Sequence, residues 1–436
     1  MSSETATNSR PPVTAAVRRR AVAAAAVGNA IEWYDYTIYG YLAVILGAVF
    51  FPSDDPATSL LATFAAFALA FVIRPIGGMV FGSLGDRLGR QRTLATVVVL
   101  ISAATFLVGV LPGYAVIGVW APVLLVALRV VQGLSAGGEV GGATAFLAEY
   151  APDRKRALQV AWLNMSAVPG CLAGALLVTV LMAALPPESM SSWGWRVPFL
   201  LAGPLGIAGL YLRLKIEDTP EFKALVAAGE VKRITLRQTI SGNASRIVLC
   251  GAMAVTHVVG FYLLLAYIPN FLATTHGYAR GGALMSTMVA LVVALCVLPL
   301  TAALSDRVGR RPLMAAAGAG YLVFAYPIFM LLADGGVMQV VLAQALLGAL
   351  FGTYAGAPFA AMIELFSTRV RYTAFSVGYN LSVALFGGTA PMIAAWLLTT
   401  TGVPTAPAFY VMFAAIVALS AAAVAPETAR VPMNQL

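Results

Sequence analysis

Apolar stretches long enough to cross a bilayer recur along almost the whole chain, and they exclude most other architectures. A spanning helix needs about 20 predominantly apolar residues. Such stretches fall at 21–49, 57–82, 93–112, 119–148, 157–184, 196–214, 246–273, 282–304, 312–333, 337–364, 371–399 and 407–425. Hydrocarbon offers no partner to free backbone N–H and C=O groups, so each stretch is predicted to be a helix. Most gaps are short and turn-like, such as Phe51-Pro52-Ser53-Asp54-Asp55-Pro56. One long polar gap, 215–245, separates six spans from six. The expected fold is all-α and integral to the membrane: twelve transmembrane helices in two six-helix bundles. The expected divisions are an N-terminal tail 1–20, a first bundle 21–214, a central loop 215–245, a second bundle 246–425 and a C-terminal tail 426–436.

Composition agrees. The 436 residues are 60% hydrophobic and only 10% charged, against about 25% charged in a soluble domain. Too few charges remain to solvate a globule or an unfolded chain. Cys171, Cys250 and Cys296 lie in apolar runs without CxxC spacing or a histidine cluster, so neither a disulfide framework nor a metal site is expected. Arg18-Arg19-Arg20 before an Ala/Val run imitates a signal peptide. The run soon meets Glu32 and Asp35, however, and no clean cleavage site follows.

The formal net charge of +9 is explained by placement. Of 27 basic residues, 23 fall in the N-terminal tail, the even-numbered gaps and the C-terminal tail. Arg280 and Arg196 alone fall in or beside the odd-numbered gaps, and Arg74 and Arg129 lie within spans. Positive residues stay in the cytoplasm. Both termini and the central loop are therefore predicted to be cytoplasmic, in a multi-pass protein of a bacterial inner membrane. The excess charge would meet anionic lipid, and no nucleic-acid partner is expected.

The two halves repeat. Gly82-Ser83-Leu84-Gly85-Asp86-Arg87-Leu88-Gly89-Arg90 follows the second span, and Ala302-Ala303-Leu304-Ser305-Asp306-Arg307-Val308-Gly309-Arg310 follows the eighth. Glu149 lies five residues before Arg154 and seven before Arg156; Glu364 lies five before Arg369 and seven before Arg371. A duplicated six-helix unit with a site between the halves is a secondary-transporter architecture.

Charges left inside spans cost about 2.5–3.5 kcal/mol each on insertion scales. They are Glu32 and Asp35 in the first span, Arg74 in the second, and Arg129 and Glu139 in the fourth. Glu32 and Asp35 are three apart and share a helix face. By helix rise, Glu32 lies near the midplane, at a depth that suits pairing of Glu32 or Asp35 with Arg74. Glu32, Asp35 and Glu139 are candidate proton-coupling groups, because a nearby arginine that moves, or is captured by substrate, switches a buried carboxylate's proton affinity. The alternative is a static ion-pair network tying the helices together. Arg129 and Arg74 are candidates for an anionic group on the substrate, since a guanidinium fork suits a carboxylate. Arg74 also has a structural reading, because Arg74-Pro75-Ile76-Gly77-Gly78 sits just before the repeated loop.

Trp33, Tyr36 and Tyr39 of the first span could line a pocket and make cation–π contacts, or simply pack. Spans seven to twelve carry no mid-span charge; Tyr262, Tyr354, Tyr379 and Asn380 are their candidate substrate contacts. His257 could relay protons, although a lone histidine in an apolar helix is more often hydrogen-bonded. Gly133, Gly137 and Gly141 recur every four residues, as do Gly348, Gly352 and Gly356, which allows close helix packing. Pro169, Pro358 and Pro391 are expected to bend their helices. No GxxxxGK[ST] occurs, so the chain itself is not expected to use ATP.

The Gly-x-Leu-x-Asp-Arg-x-Gly-Arg loop and its second copy resemble the signature of the major facilitator superfamily. Gly28-Asn29-Ala30-Ile31-Glu32-Trp33-Tyr34-Asp35-Tyr36, Gln132-Gly133-Leu134-Ser135-Ala136-Gly137-Gly138-Glu139, Ala148-Glu149-Tyr150-Ala151-Pro152 and Gly194-Trp195-Arg196-Val197-Pro198-Phe199 resemble the bacterial metabolite:proton symporter family. Within it, Phe50-Phe51-Pro52 and Ile117-Gly118-Val119-Trp120-Ala121-Pro122 are similar to the proline/glycine-betaine branch. Phe386-Gly387-Gly388-Thr389-Ala390-Pro391 looks as much like the organic-acid branch. The resemblance implies alternating access, monomeric function, no cofactor and a proton gradient that drives uptake of a small carboxylate-bearing metabolite. It also implies a cytoplasmic latch of Asp86 and Glu149 with Arg154, mirrored by Asp306 and Glu364. Arg87, Arg90, Arg307 and Arg310 would complete the latch or meet lipid. An efflux antiporter of the same fold is the alternative. A membrane acyltransferase would need an HxxxxD or paired-histidine constellation, and none occurs.

Overall fold

A computed structural model describes residues 14–152, 154–229, 234–278 and 280–435, and all its spanning elements are helices. Residues 1–13 and the Lys232–Arg233 pair, on which the charge pattern partly rests, lie outside the described residues.

The first half comprises α1 (Ala15–Phe50), α2 (Pro56–Val72, continuing as Arg74–Leu88), α3 (Arg90–Val110), α4 (Trp120–Tyr150), α5 (Arg156–Ala184) and α6 (Arg196–Leu214). The second comprises α7 (Leu236–Tyr262, a π turn Leu263–Tyr267, then Ile268–His276), α8 (Arg280–Val308) and α9 (Arg310–Asp334). It continues with α10 (Val337–Ala355, then Pro358–Glu364), α11 (Arg371–Ser382, a π turn Val383–Gly387, then Ala390–Thr401) and α12 (Pro407–Val424). Eleven of these are long and apolar enough to span a membrane. The twelfth, α1, is 36 residues long, about 54 Å at helical rise. Its mean hydropathy is held down by Asn29, Glu32, Asp35 and its tyrosines, the residues of interest.

Local chemistry sets the boundaries. Thr14 caps α1 by accepting from Val17 N–H. Thr235 and Gln238 form a capping box that starts α7 well before the apolar run predicted from 246. Gly89 and Gly309, at φ +104° and +128°, make the equivalent turns between α2 and α3 and between α8 and α9. Apart from a kink at Asn243 in α7, the breaks inside helices sit at prolines. A proline lacks the N–H and crowds the carbonyl four residues earlier. The helix therefore interrupts before Pro75 and Pro358, and widens into a π turn before Pro269 and Pro391. Pro358 and Pro391 break their helices as predicted, whereas Pro169 lies within an unbroken α5. The central loop, read as one long polar gap, contains a short helix Pro220–Ala227 capped by Thr219.

Within the first half α1 packs on α5 and α6, and α4 packs on α2 and α3. The second half repeats this scheme: α7 packs on α11 and α12, and α10 on α8 and α9. The glycine stripes are where helices nearly touch. A Cβ on Gly133 or Gly137 would lie 2.3 or 2.1 Å from carbonyl oxygens of α2, and one on Gly348 would lie 2.2 Å from a carbonyl of α8. Between halves, α2 and α4 meet α11, and α5 meets α8.

Candidate functional site

A cavity lies between the halves at mid-depth. Its wall includes Asn29 and Trp33 of α1, Arg74 of α2, Asn164 of α5, and His257 and Tyr262 of α7. Tyr379 of α11, the rings of Phe261, Phe351 and Phe359, and aliphatic side chains including Val140 of α4 also line it. About 40 Å³ is free, room for a few waters.

Arg74 begins the segment of α2 that follows the proline break, so its side chain reaches α1. There it forms a buried ion pair with Glu32, and it donates to the Tyr36 hydroxyl at 2.9 Å. Its guanidinium lies 5.1 Å from the Tyr36 ring centre and 5.2 Å from that of Phe71. Glu32 Oε2 and Arg74 Nε have no hydrogen-bond partner among the described residues. This pair is thus bound and incompletely satisfied beside the cavity.

Asp35 faces elsewhere. It accepts from Arg129 at 3.1 Å, Thr105 at 2.9 Å and Gln132 at 2.8 Å. The Arg129 guanidinium lies 3.5 Å from the centre of the Tyr39 ring. Although Glu32 and Asp35 are one turn apart, they serve different arginines from different helices. Asp35, Arg129 and Tyr39 lie away from the cavity wall. Glu139, the third candidate proton-coupling group, pairs with Arg213, which also donates to the carbonyls of Leu94 and Ala24. Arg213, counted above as a loop charge, is buried.

Of the candidate substrate contacts, Arg74, Trp33, Tyr262 and Tyr379 line the cavity. Tyr36 lies behind Arg74. The Tyr354 hydroxyl donates to the Met253 carbonyl at 2.8 Å, a contact within its own half. Asn380 Nδ2 donates to the Gly137 carbonyl at 2.7 Å, tying α11 to α4. His257 and Asn164 belong to the cavity wall but not to that set. His257 Nδ1 is buried and has no hydrogen-bond partner among the described residues, so the hydrogen-bonded reading is not met at that nitrogen.

The arginine-rich face closes the halves together. Asp86 accepts from the N–H groups of Tyr372 at 3.2 Å and Thr373 at 2.9 Å, at the start of α11. Asp306 accepts from those of Ala157 and Leu158, both at 3.0 Å, at the start of α5. Each carboxylate of a repeated loop thus sits on the positive end of a helix in the other half. Glu149 binds Arg90 at 3.3 Å and Arg371 at 3.0 Å; Glu364 binds Arg310 and Arg156, both at 3.1 Å. Arg87, Arg154 and Arg307 are exposed. Arg154, at φ +64°, is exposed; its expected partner Glu149 is held by Arg90 and Arg371 instead, and Arg156 binds Glu364. Of the two spacings offered by the sequence, the seven-residue one is used.

A further repeated element supports this network. Asp218 accepts from the N–H groups of Arg90 at 3.1 Å and Gln91 at 3.5 Å, and Thr219 donates to Glu149. Glu427 accepts from those of Arg310 at 3.0 Å and Arg311 at 3.1 Å, and Thr428 donates to Glu364. The pairs Asp218-Thr219 and Glu427-Thr428, after the sixth and twelfth helices, were a repeat the sequence displayed and the motif reading overlooked. Burial raises the Asp218 carboxyl above its ordinary range despite these bonds. At Glu427 burial also acts upward, but the N–H bonds and the Arg310 charge prevail and hold it low.

The profile of the sugar (and other) transporter family matches residues 21–246 and 227–436, nearly the whole chain in two stretches. The glycine betaine/proline/ectoine/pipecolic acid transporter OusA of Dickeya dadantii is 36% identical over 425 residues, 95% of this chain and 85% of that protein. The proline/betaine transporter of Escherichia coli K12 matches with the same identity and the same shares. Among solved structures, a major facilitator superfamily proton:xylose symporter bound to 6-bromo-6-deoxy-D-glucose superposes with a TM-score of 0.78. It is 17% identical and is covered over 95% of this chain and 97% of that one. A partially occluded inward-open xylose transporter from Escherichia coli gives 0.69, with 17% identity and shares of 95% and 99%. The chain therefore belongs to the sugar (and other) transporter family, with proline/betaine transporters among its relatives and the fold of a major facilitator superfamily symporter.

Proposed function

We propose that this chain imports a compact zwitterion of the proline/betaine kind together with a proton, by alternating access across a bacterial inner membrane. The arginine-rich face and both termini are cytoplasmic in this reading, as the positive-inside pattern requires. The protein works as a monomer without a cofactor, and the proton gradient supplies the driving force.

The observation that carries the reading is the Arg74–Glu32 pair, whose arginine lines the cavity. A substrate carboxylate that engages the free edge of Arg74 competes with Glu32. Glu32 is then left in apolar surroundings without its counter-ion and takes up a proton. Substrate and proton are thereby bound together, which is the coupling that symport needs. Arg74 is the single cation among the described residues of the wall, and this favours one carboxylate over two or three. The rings of Trp33, Tyr262, Tyr379 and Phe261 suit an onium group by cation–π attraction. The 36%-identical relatives named for such substrates support the same class. The free space is too small for the substrate, so the halves must part to admit it.

Proteoliposomes with an alkaline interior provide the test. Labelled glycine betaine or proline should accumulate inside, and a protonophore should abolish accumulation. Accumulation indifferent to the protonophore would overturn symport. Proton-driven accumulation in inverted vesicles would favour the efflux alternative.

A further inference from the structure

His257 is the cavity group that the coupling scheme leaves unused. It lies on α7, across the cavity from the half that holds Arg74 and Glu32, and is 5% exposed. Its contacts are ring against ring: centroids lie 5.1 Å from Phe351, 4.8 Å from Phe359 and 6.3 Å from Phe261. Its Nδ1 is buried and without a hydrogen-bond partner among the described residues. A buried polar nitrogen left unpaired costs about 1–3 kcal/mol. A leucine or phenylalanine would fill the same aromatic niche without that cost. The position therefore holds a hydrogen-bonding group where packing alone does not need one.

We infer that His257 reads the N–H bonds of the substrate's ammonium group and so sets the balance between substrates that carry such bonds and substrates that do not. This rests on the zwitterion reading above. With the carboxylate on Arg74, a compact zwitterion directs its ammonium toward the aromatic wall around His257. A quaternary ammonium has no N–H and is held by ring faces alone. A secondary ammonium, as in proline, has two N–H donors, and an imidazole nitrogen accepts one of them. Nδ1, which has no partner among the described residues, is the nitrogen left for this use. A site built around such a bond discriminates against the analogue that lacks it, because its polar atom then stays unpaired.

The full-length protein in proteoliposomes tests this with labelled proline and labelled glycine betaine measured in parallel. In His257→Phe, which keeps the ring and removes both nitrogens, proline uptake (Vmax/KM) should fall about tenfold or more while betaine uptake stays within about threefold. His257→Asn, which restores an acceptor, should recover proline uptake in part. An equal fall for both substrates in both variants marks a packing role and overturns the inference. Unchanged uptake of both in His257→Phe overturns it as well, and so does a wild type that takes betaine and refuses proline. If the wild type transports neither compound, the zwitterion reading itself has failed, an outcome distinct from an unaltered ratio in the variants.

Discussion

Glu149 on α4 and Arg371 on α11 meet at 3.0 Å with no exposed side-chain surface on either. Arg371 lies seven residues after Glu364, and Glu149 lies seven residues before Arg156. Each carboxylate pairs with the arginine of the other half, since Glu364 binds Arg156 at 3.1 Å. One spacing, duplicated in the sequence, is thus realised as a crossed pair of bridges about the pseudo-twofold axis between the bundles.

Breaking one crossed bridge should loosen the closed face. Removing one partner of a buried ion pair costs about 3–5 kcal/mol, because the other charge stays buried. Arg371→Ala is expected to lower the unfolding temperature of the purified protein. A cysteine placed at Val140 in the cavity wall should then be labelled faster from the arginine-rich face. Labelling at the wild-type rate would remove Arg371 from the gate.

The two intramembrane arginines should separate kinetically. Arg74 lines the cavity and Arg129 does not. Lysine replaces a fork by a point charge. Arg74→Lys is expected to raise KM about tenfold or more. Arg129→Lys, which loses the stacking on Tyr39, should lower stability and Vmax with KM nearly unchanged. Initial-rate uptake at several substrate concentrations distinguishes these patterns, and a larger KM effect at Arg129 would reverse the assignment.

Glu32→Gln should abolish gradient-driven accumulation while substrate exchange continues, because a glutamine holds its place without titrating. Asp35→Asn leaves Arg129 without its counter-ion and should reduce both activities together with stability. Counterflow measured beside pH-driven uptake separates the two, and full accumulation in Glu32→Gln would exclude it as the proton carrier.

Gly82→Ala tests the close approach of α2 to α11. A Cβ there would sit 2.6 Å from Thr373 Cα, a backbone atom that cannot swing aside. The expected result is a protein that inserts and folds but closes poorly at the arginine-rich face, with uptake reduced about tenfold or more. Cavity labelling from that face should rise. Wild-type labelling and uptake would show that the helices tolerate a wider separation.

Glu427 predicts an acid-sensitive brace. Burial acts to raise its carboxyl, but bonds from the backbone of Arg310, Ala429 and Arg311 and the Arg310 charge hold it below the ordinary 4.5. A lowered folded pKa means that the charged form is stabilised by folding. That contribution is complete above pH 4.5 and disappears as pH falls through the lower, folded value. Thermal unfolding of wild type against Glu427→Gln should therefore show a gap at neutral pH that narrows in acid. A gap that widens on acidification would contradict the sign.

The membrane architecture was legible because it is written in hydropathy, and the halves because two loop sequences repeat. Glu32, Asp35, Arg74, Arg129 and Glu139 were legible as outliers, since a charge inside a span is costly wherever it points. Their partners were not. Helix rise gives depth but not rotation, so Glu32 and Asp35, one turn apart, could not be assigned to Arg74 and Arg129 in advance. Arg213 was lost to the loop count because it sits in the last turn of α6, where its stem turns inward to Glu139.

The sequence by itself determined that this chain crosses a membrane about twelve times, repeats itself once and keeps Glu32, Asp35, Arg74, Arg129 and Glu139 inside its spans. These follow from local composition and spacing, which need no partner. The tertiary structure alone decided which arginine faces the cavity, that Arg156 rather than Arg154 joins the buried ion pairs, and that His257 Nδ1 has no partner among the described residues. Those outcomes depend on which faces of twelve helices meet. Rotation and proline breaks set this through packing between residues hundreds of positions apart.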